Sequence, residues 1–103
     1  MDSELLKFLY IENNKPPQSF FDDIQSLIVI LGDPDSILVF RGEAEIGWYR
    51  SDPDRMLEIT VYEDDEMDLW FSKTTFINDE EVNICGEVGS SLQSLRDWLE
   101  YGE

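Results

Sequence analysis

Histidine is absent from this chain, basic residues are scarce, and there is a single cysteine. Each shortage excludes a class of chemistry. Without histidine the chain lacks the side chain that most often titrates near neutral pH and most often serves as general acid or base. Neither a Ser-His nor a Cys-His nucleophile pair can be assembled. Cys85 alone allows no disulfide within the chain and no zinc site of the usual Cys/His kind, and it fits a reducing compartment. The glycines are scattered, so no glycine-rich phosphate loop is present. The longest apolar run, residues 27–31, falls far short of the roughly 20 residues needed to span a membrane. Residues 1–14 lack the basic flank and apolar core of a signal peptide. The expectation is a cytoplasmic protein that is not an enzyme, with no cofactor, no bound metal and no membrane partner.

What the sequence does contain is acid. Twenty-four Asp and Glu stand against 7 Lys and Arg, a formal charge of −17 in 103 residues. Solubility of a small domain asks only for a net charge of about 2 to 8. The excess opposes compaction by self-repulsion and disfavours nucleic acid and anionic membranes as direct partners. A basic protein surface is its natural complement. Apolar residues still make up 42% of the chain, enough for one core, so disorder is not expected and one domain over 1–103 is.

The apolar spacing predicts a helix over 3–12 with Ser3 as cap and Leu5, Leu6 and Leu9 on one side. Residues 13–17, with two prolines, break it. A second helix is expected over 20–31. Ser19 and Asp22 form its capping box, Gly32 its stop, and residues 27–31 are apolar all round, as in a helix buried on more than one side. After Asp33-Pro34-Asp35 the period changes to two. A short strand is expected over 37–40. Over 43–49, Ala44, Ile46 and Trp48 face one way and Glu43, Glu45 and Tyr49 the other. Over 56–62, Leu57, Ile59 and Val61 alternate with Met56, Glu58, Thr60 and Tyr62. Over 67–72, Met67, Leu69 and Phe71 alternate with Asp68, Trp70 and Ser72. A last strand over 81–86 turns Val82 and Ile84 inward, and Cys85 beside them reads as a half-buried structural thiol. A closing helix carries Leu92, Leu95, Trp98 and Leu99, with Ser90 and Gln93 as its capping box. The fold class is α+β: an antiparallel meander of four or five strands with two N-terminal helices and one C-terminal helix packed on it.

The candidate site follows from the outward rows. Tyr49, Met56, Tyr62 and Trp70 share the face of Glu45, Glu58 and Asp68. Tyr, Trp and Met are enriched in interface cores, and surrounding carboxylates steer a basic partner. The acidic turn that includes Asp64 and Asp65 extends the patch. Carboxylates two residues apart on a strand, such as Glu43 and Glu45, lie about 6.6 Å apart at about 3.3 Å per residue, on the scale of successive phosphates in a nucleic-acid strand. A row of such groups could occupy a groove built for nucleic acid. The acidic pairs Asp33-x-Asp35 and Asp52-x-Asp54, and the run 64–66, supply oxygen ligands but do not match the spaced calcium loop. No closely spaced carboxylate pair is flanked by the apolar residues a hydrolase would use to desolvate it.

The segment Gly42-Glu43-Ala44-Glu45-Ile46-Gly47-Trp48-Tyr49, the strand Arg55-Met56-Leu57-Glu58-Ile59-Thr60-Val61 and the closing helix 92–99 together resemble a loose group of small bacterial proteins with no assigned activity. They pair a glycine turn and a Trp-containing strand with a Leu-Glu-Ile strand and a C-terminal helix. The resemblance covers about the last 60 residues. It implies the same fold and no catalytic residue. In size and acidity the chain is also similar to antitoxins, immunity proteins and phage anti-CRISPR or anti-restriction inhibitors. The expectation is a small acidic inhibitor or neutraliser that docks on a basic surface of a nucleic-acid-handling protein. Its candidate partner-binding residues are Glu45, Tyr49, Glu58, Tyr62, Asp64, Asp65, Asp68 and Trp70. The alternative is a structural or homo-oligomerisation module, a homodimer whose outward aromatics bury against a second copy.

Overall fold

The computed structural model describes residues 18–40, 42–51, 54–64 and 68–102. Over these residues the order is helix α1 (Gln18–Leu31), strands β1 (Ser36–Phe40), β2 (Glu43–Arg50), β3 (Asp54–Tyr62), β4 (Trp70–Ile77) and β5 (Glu80–Glu87), and helix α2 (Leu92–Tyr101). Each strand pairs antiparallel with the next, giving one sheet in the order β1-β2-β3-β4-β5. The α+β meander is therefore as the alternation predicted, with all five strands formed. Two helices are present among the described residues, rather than the three expected. The expected helix over 3–12 lies outside them.

Both helices pack on one face. Ala44, Ile46 and Trp48 of β2 and Leu57, Ile59 and Val61 of β3 are fully buried there, against Phe20, Ile24, Leu27 and Leu31 of α1 and Leu95 and Leu99 of α2. Period two in the strands meets period 3.6 in the helices, and each covers the other's apolar side. Helix α1 buries one broad stripe only. Val29 is 73% exposed, which corrects the expectation of a helix buried on more than one side. A Ser19 cap would start the helix at Phe20, whereas α1 already includes Gln18 and Ser19. Ser19 has helical backbone in the first turn, and it is Gln18 that reaches Asp22, donating to Oδ1 at 3.0 Å. The predicted stop holds: Gly32, at φ 93°, donates its N–H to the carbonyl of Ile28 at 2.8 Å. Trp48 Nε1 then donates to the Gly32 carbonyl at 2.9 Å, tying the helix end to β2.

Helix α2 starts one residue later than the Ser90–Gln93 box predicts. Ser91 is the N-cap, at φ −86° and ψ 3°, with no side-chain cap hydrogen bond, and Gln93 instead donates to Asp97 Oδ1 at 3.1 Å. At the other end the helix is held by a buried arginine. Arg55 Nε donates to the carbonyls of Trp98 (3.2 Å) and Leu99 (3.0 Å), and Nη2 donates to Leu99 as well. A guanidinium against the last carbonyls satisfies acceptors that have no partner in the helix and opposes its negative end. On the same side Lys73 Nζ sits 5.5 Å from the centre of the Trp98 ring.

The largest departure from the predicted boundaries is in β4. Its strand runs over Trp70–Ile77 rather than 67–72. Its second half, Lys73-Thr74-Thr75, has strand-forming threonines but no apolar alternation, so periodicity alone missed it. The turn into β5 is two residues, Asn78 and Asp79, both at positive φ (51° and 66°), the hand that suits a tight hairpin. In β5, Val82 and Ile84 do lie on the helix side, but they are 53% and 52% exposed, because neither helix reaches the end of the sheet. Among the described residues no helix is long and apolar enough to cross a membrane.

Candidate interaction face

The register assigns every strand residue to a side. Ala44 pairs with Val61, Ile46 with Ile59 and Trp48 with Leu57 on the helix side. The opposite side is then fixed. One row across it runs Leu38, Glu45, Thr60, Trp70, Glu87, and the next Ser36, Gly47, Glu58, Ser72, Cys85. A third holds Tyr49, Met56, Thr74 and Asn83, and Glu43 faces Tyr62. No described element packs over these rows.

Five of the predicted residues thus share one face: Glu45, Tyr49, Glu58, Tyr62 and Trp70. Asp68 is exposed in the connection two residues before β4, so the strand register assigns it to neither side. Asp64 is exposed in that same connection between β3 and β4, and Asp65 lies outside the described residues. Four residues of this face carried no sequence signal strong enough to be chosen. Leu38 (56% exposed) belongs to a strand too short for a clear alternation, and Phe76 (40% exposed) to the half of β4 that alternation missed. Phe76 pairs with Asp54 on one side and Glu81 on the other, which places those two carboxylates here as well.

Tyr49 is 47% exposed, and its backbone N–H donates to Asp35 Oδ2 at 2.7 Å. The neighbouring Asp54 carboxylate, as an acceptor toward the hydroxyl first, with some burial and its negative charge, pushes the phenol above its ordinary pKa. Trp70 is 43% exposed between Thr60 and Glu87. Gly47, in the middle of the face, lies against the neighbouring strand: a Cβ there would lie 2.6 Å from Ser36 Oγ, so the serine hydroxyl would have to turn away. Toward β5 a polar ladder fixes the surface. Asn83 Nδ2 donates to Ser72 Oγ and to Thr74 Oγ1, both at 2.8 Å, and Cys85 Sγ donates to Asn83 Oδ1 at 2.9 Å. Cys85 is exposed, which corrects the expectation of a half-buried thiol: its side chain stands on the face the helices do not cover.

Described cations are kept off one side. The face that no described element covers carries Glu43, Glu45, Asp54, Glu58, Glu81 and Glu87 and, among the described residues, no lysine or arginine. The described cations lie elsewhere. Arg55 and Lys73 are on the helix side, Arg96 pairs with Glu100 on α2, and Arg50 at the end of β2 pairs with Asp35 at 3.6 Å. Glu45 registers the crowding. Partial burial, then the charges of Glu58 and Glu43, push its carboxyl above the ordinary glutamate value.

Compared with family models, curated proteins and solved structures, the chain matches none. Function therefore has to be argued from this face. Among the described residues no group of three or more carboxylates or thiolates is arranged to hold a metal ion. What the arrangement offers is an acidic sheet surface with part-exposed aromatic rings among its carboxylates.

Proposed function

We propose that the protein is a small acidic inhibitor or neutraliser, of the antitoxin, immunity or phage anti-defence kind, that docks its uncovered sheet face onto a basic surface of a nucleic-acid-handling protein. The observation that carries this reading is the absence of described cations from one face. Six carboxylates stand there with no described lysine or arginine among them, while the described cations bind the protein's own helices, rings and turns. A surface meant only for solubility would intersperse both signs. Clustered like charges cost fold stability, and a basic partner relieves that cost while drawing the partner in. Tyr49, Trp70 and Leu38 supply apolar area between the charges, as interface cores do. Glu43 and Glu45, two residues apart on β2, have a spacing on the scale of successive phosphates, about 6.6 Å. On this reading they take the place of a nucleic-acid backbone on the partner.

The test compares two double variants of equal net charge. Glu45→Lys with Glu58→Lys reverses the face, and Asp97→Lys with Glu100→Lys makes the same change on α2. Each is used to capture partners from nuclease-treated lysate at low salt. The reading expects the face variant to lose the partner that the native chain and the helix variant retain. Equal loss from both variants would reduce the attraction to net charge and overturn the proposed face.

A further inference from the structure

The sheet ends at β5 with an edge that no described strand covers, and that edge has two different sides. Every residue of β5 except Gly86 is exposed. On the helix side Val82 (53% exposed) and Ile84 (52%) stand beside Ile77 (49%), an apolar strip that neither helix reaches. On the other side are Glu81, Asn83, Cys85 and Glu87.

The hydrogen-bond phase of the hairpin shows which backbone groups face outward. Val88 N–H donates to the Leu69 carbonyl at 2.9 Å, and the two-residue turn closes on Ile77 and Glu80. Bonded and unbonded pairs alternate in an antiparallel ladder. Val82 and Ile84 therefore bond to β4, while the N–H and C=O groups of Glu81, Asn83, Cys85 and Glu87 point to the open edge. An incoming antiparallel strand would bond to these four, and side chains directly opposite one another share a face. It would set alternate side chains against the carboxylates of Glu81 and Glu87, and the intervening ones beside Val82 and Ile84.

We infer that the β5 edge accepts one strand of a partner protein, extended and antiparallel, in which basic and branched apolar residues alternate. Charge selects this occupant over a second copy of the chain. Self-pairing centred on Ile84 would set Glu81 against Glu87 of the other copy, and pairing centred on Asn83 would set Asp79 there, with both chains at −17. Acidic side chains at an edge guard against self-association, and the same charges attract a cationic strand. The inference rests on the basic-partner reading for the sign of the charge; the edge shares Glu81 and Glu87 with the sheet face, while its outward backbone groups belong to the edge alone.

The probe is a blocked peptide of alternating lysine and valine, as long as β5, added to the full chain and followed by amide hydrogen exchange. Exchange at Glu81, Asn83, Cys85 and Glu87 should slow about tenfold or more, with Val82 and Ile84 little changed. N-methylation of the peptide's lysines, whose N–H groups face β5 in this pairing, should abolish the effect, whereas N-methylation of its valines should spare it. Equal behaviour of the two methylated peptides would overturn the inference. Protection of the same four amides in a dimer without peptide would overturn it too. Binding that instead perturbs Glu45 and Glu58 and ignores methylation would defeat the edge and leave the sheet-face reading standing.

Discussion

Glu45 is where the electrostatic cost of the face can be read in one side chain. Its carboxyl is raised by partial burial first and by Glu58 and Glu43 after it. For a raised acid, the associated stability is complete below the ordinary value near 4.5 and is lost as pH rises through the higher folded value. At neutral pH the charged Glu45 therefore works against the fold. Glu45→Gln should be slightly more stable than the native chain at pH 7, by up to about 0.5 kcal/mol given how exposed and screened the group is. The difference should vanish below pH 4, where both side chains are neutral. Melting curves at the two pH values check this, and a variant less stable at pH 7 would show that the crowding is compensated. The same substitution should weaken partner binding, a trade of stability for function. Much of this neighbourhood was legible in the sequence. Strict alternation in β2 and β3 placed Glu45, Tyr49, Glu58 and Tyr62 on one side, because burying Ile46 and Ile59 fixes the phase of everything between them. Asp68 lies just before β4, where the register no longer assigns a side.

Elements were legible where one physical signal dominated and obscure where two compete. Helix α1 and strands β2 and β3 bury full apolar rows, so pattern and packing agree. Strand β4 carries Lys73 and Thr75 where the pattern expects apolar residues. Its place in the sheet is set by the ladders to β3 and β5, which are tertiary facts. The Asn78-Asp79 turn was readable in principle, since both residue types tolerate positive φ. The role of Arg55 was not, because a basic residue in a strand pattern gives no sign that it will cap a helix 43 residues further on. That contact gives a prediction at this scale. Arg55→Met keeps much of the stem but leaves the carbonyls of Trp98 and Leu99 without this donor. Stability should fall by about 1–3 kcal/mol, with exchange in α2 accelerated before exchange in β2 and β3. Arg55→Lys should recover only part, since an ammonium lacks the planar fork that reaches both carbonyls. An α2 that exchanges no faster in Arg55→Met would show that Trp98 and Leu99 packing alone holds the helix.

For the molecule as a whole, one charge imbalance acts on two equilibria. The chain carries −17, and the described carboxylates on the uncovered sheet face have no described cation among them. Repulsion among them opposes folding, and attraction to a basic surface favours binding. Salt weakens both, since the screening length falls from about 30 Å at 0.01 M to about 10 Å at 0.1 M. The two effects must then have opposite signs: added salt should raise the melting temperature of the isolated protein and lower its affinity for the partner. A gain of about 1 kcal/mol in a domain of this size corresponds to roughly 4–8 °C, so scanning calorimetry at the two salt concentrations would resolve it. Sodium chloride and tetramethylammonium chloride should stabilise alike if screening is the cause. Stabilisation by sodium alone would mean that the face holds a specific cation. A melting temperature indifferent to both salts would mean that the carboxylates are far enough apart, or wet enough, to ignore each other, and the crowding at Glu45 could no longer be read as a cost kept for a partner.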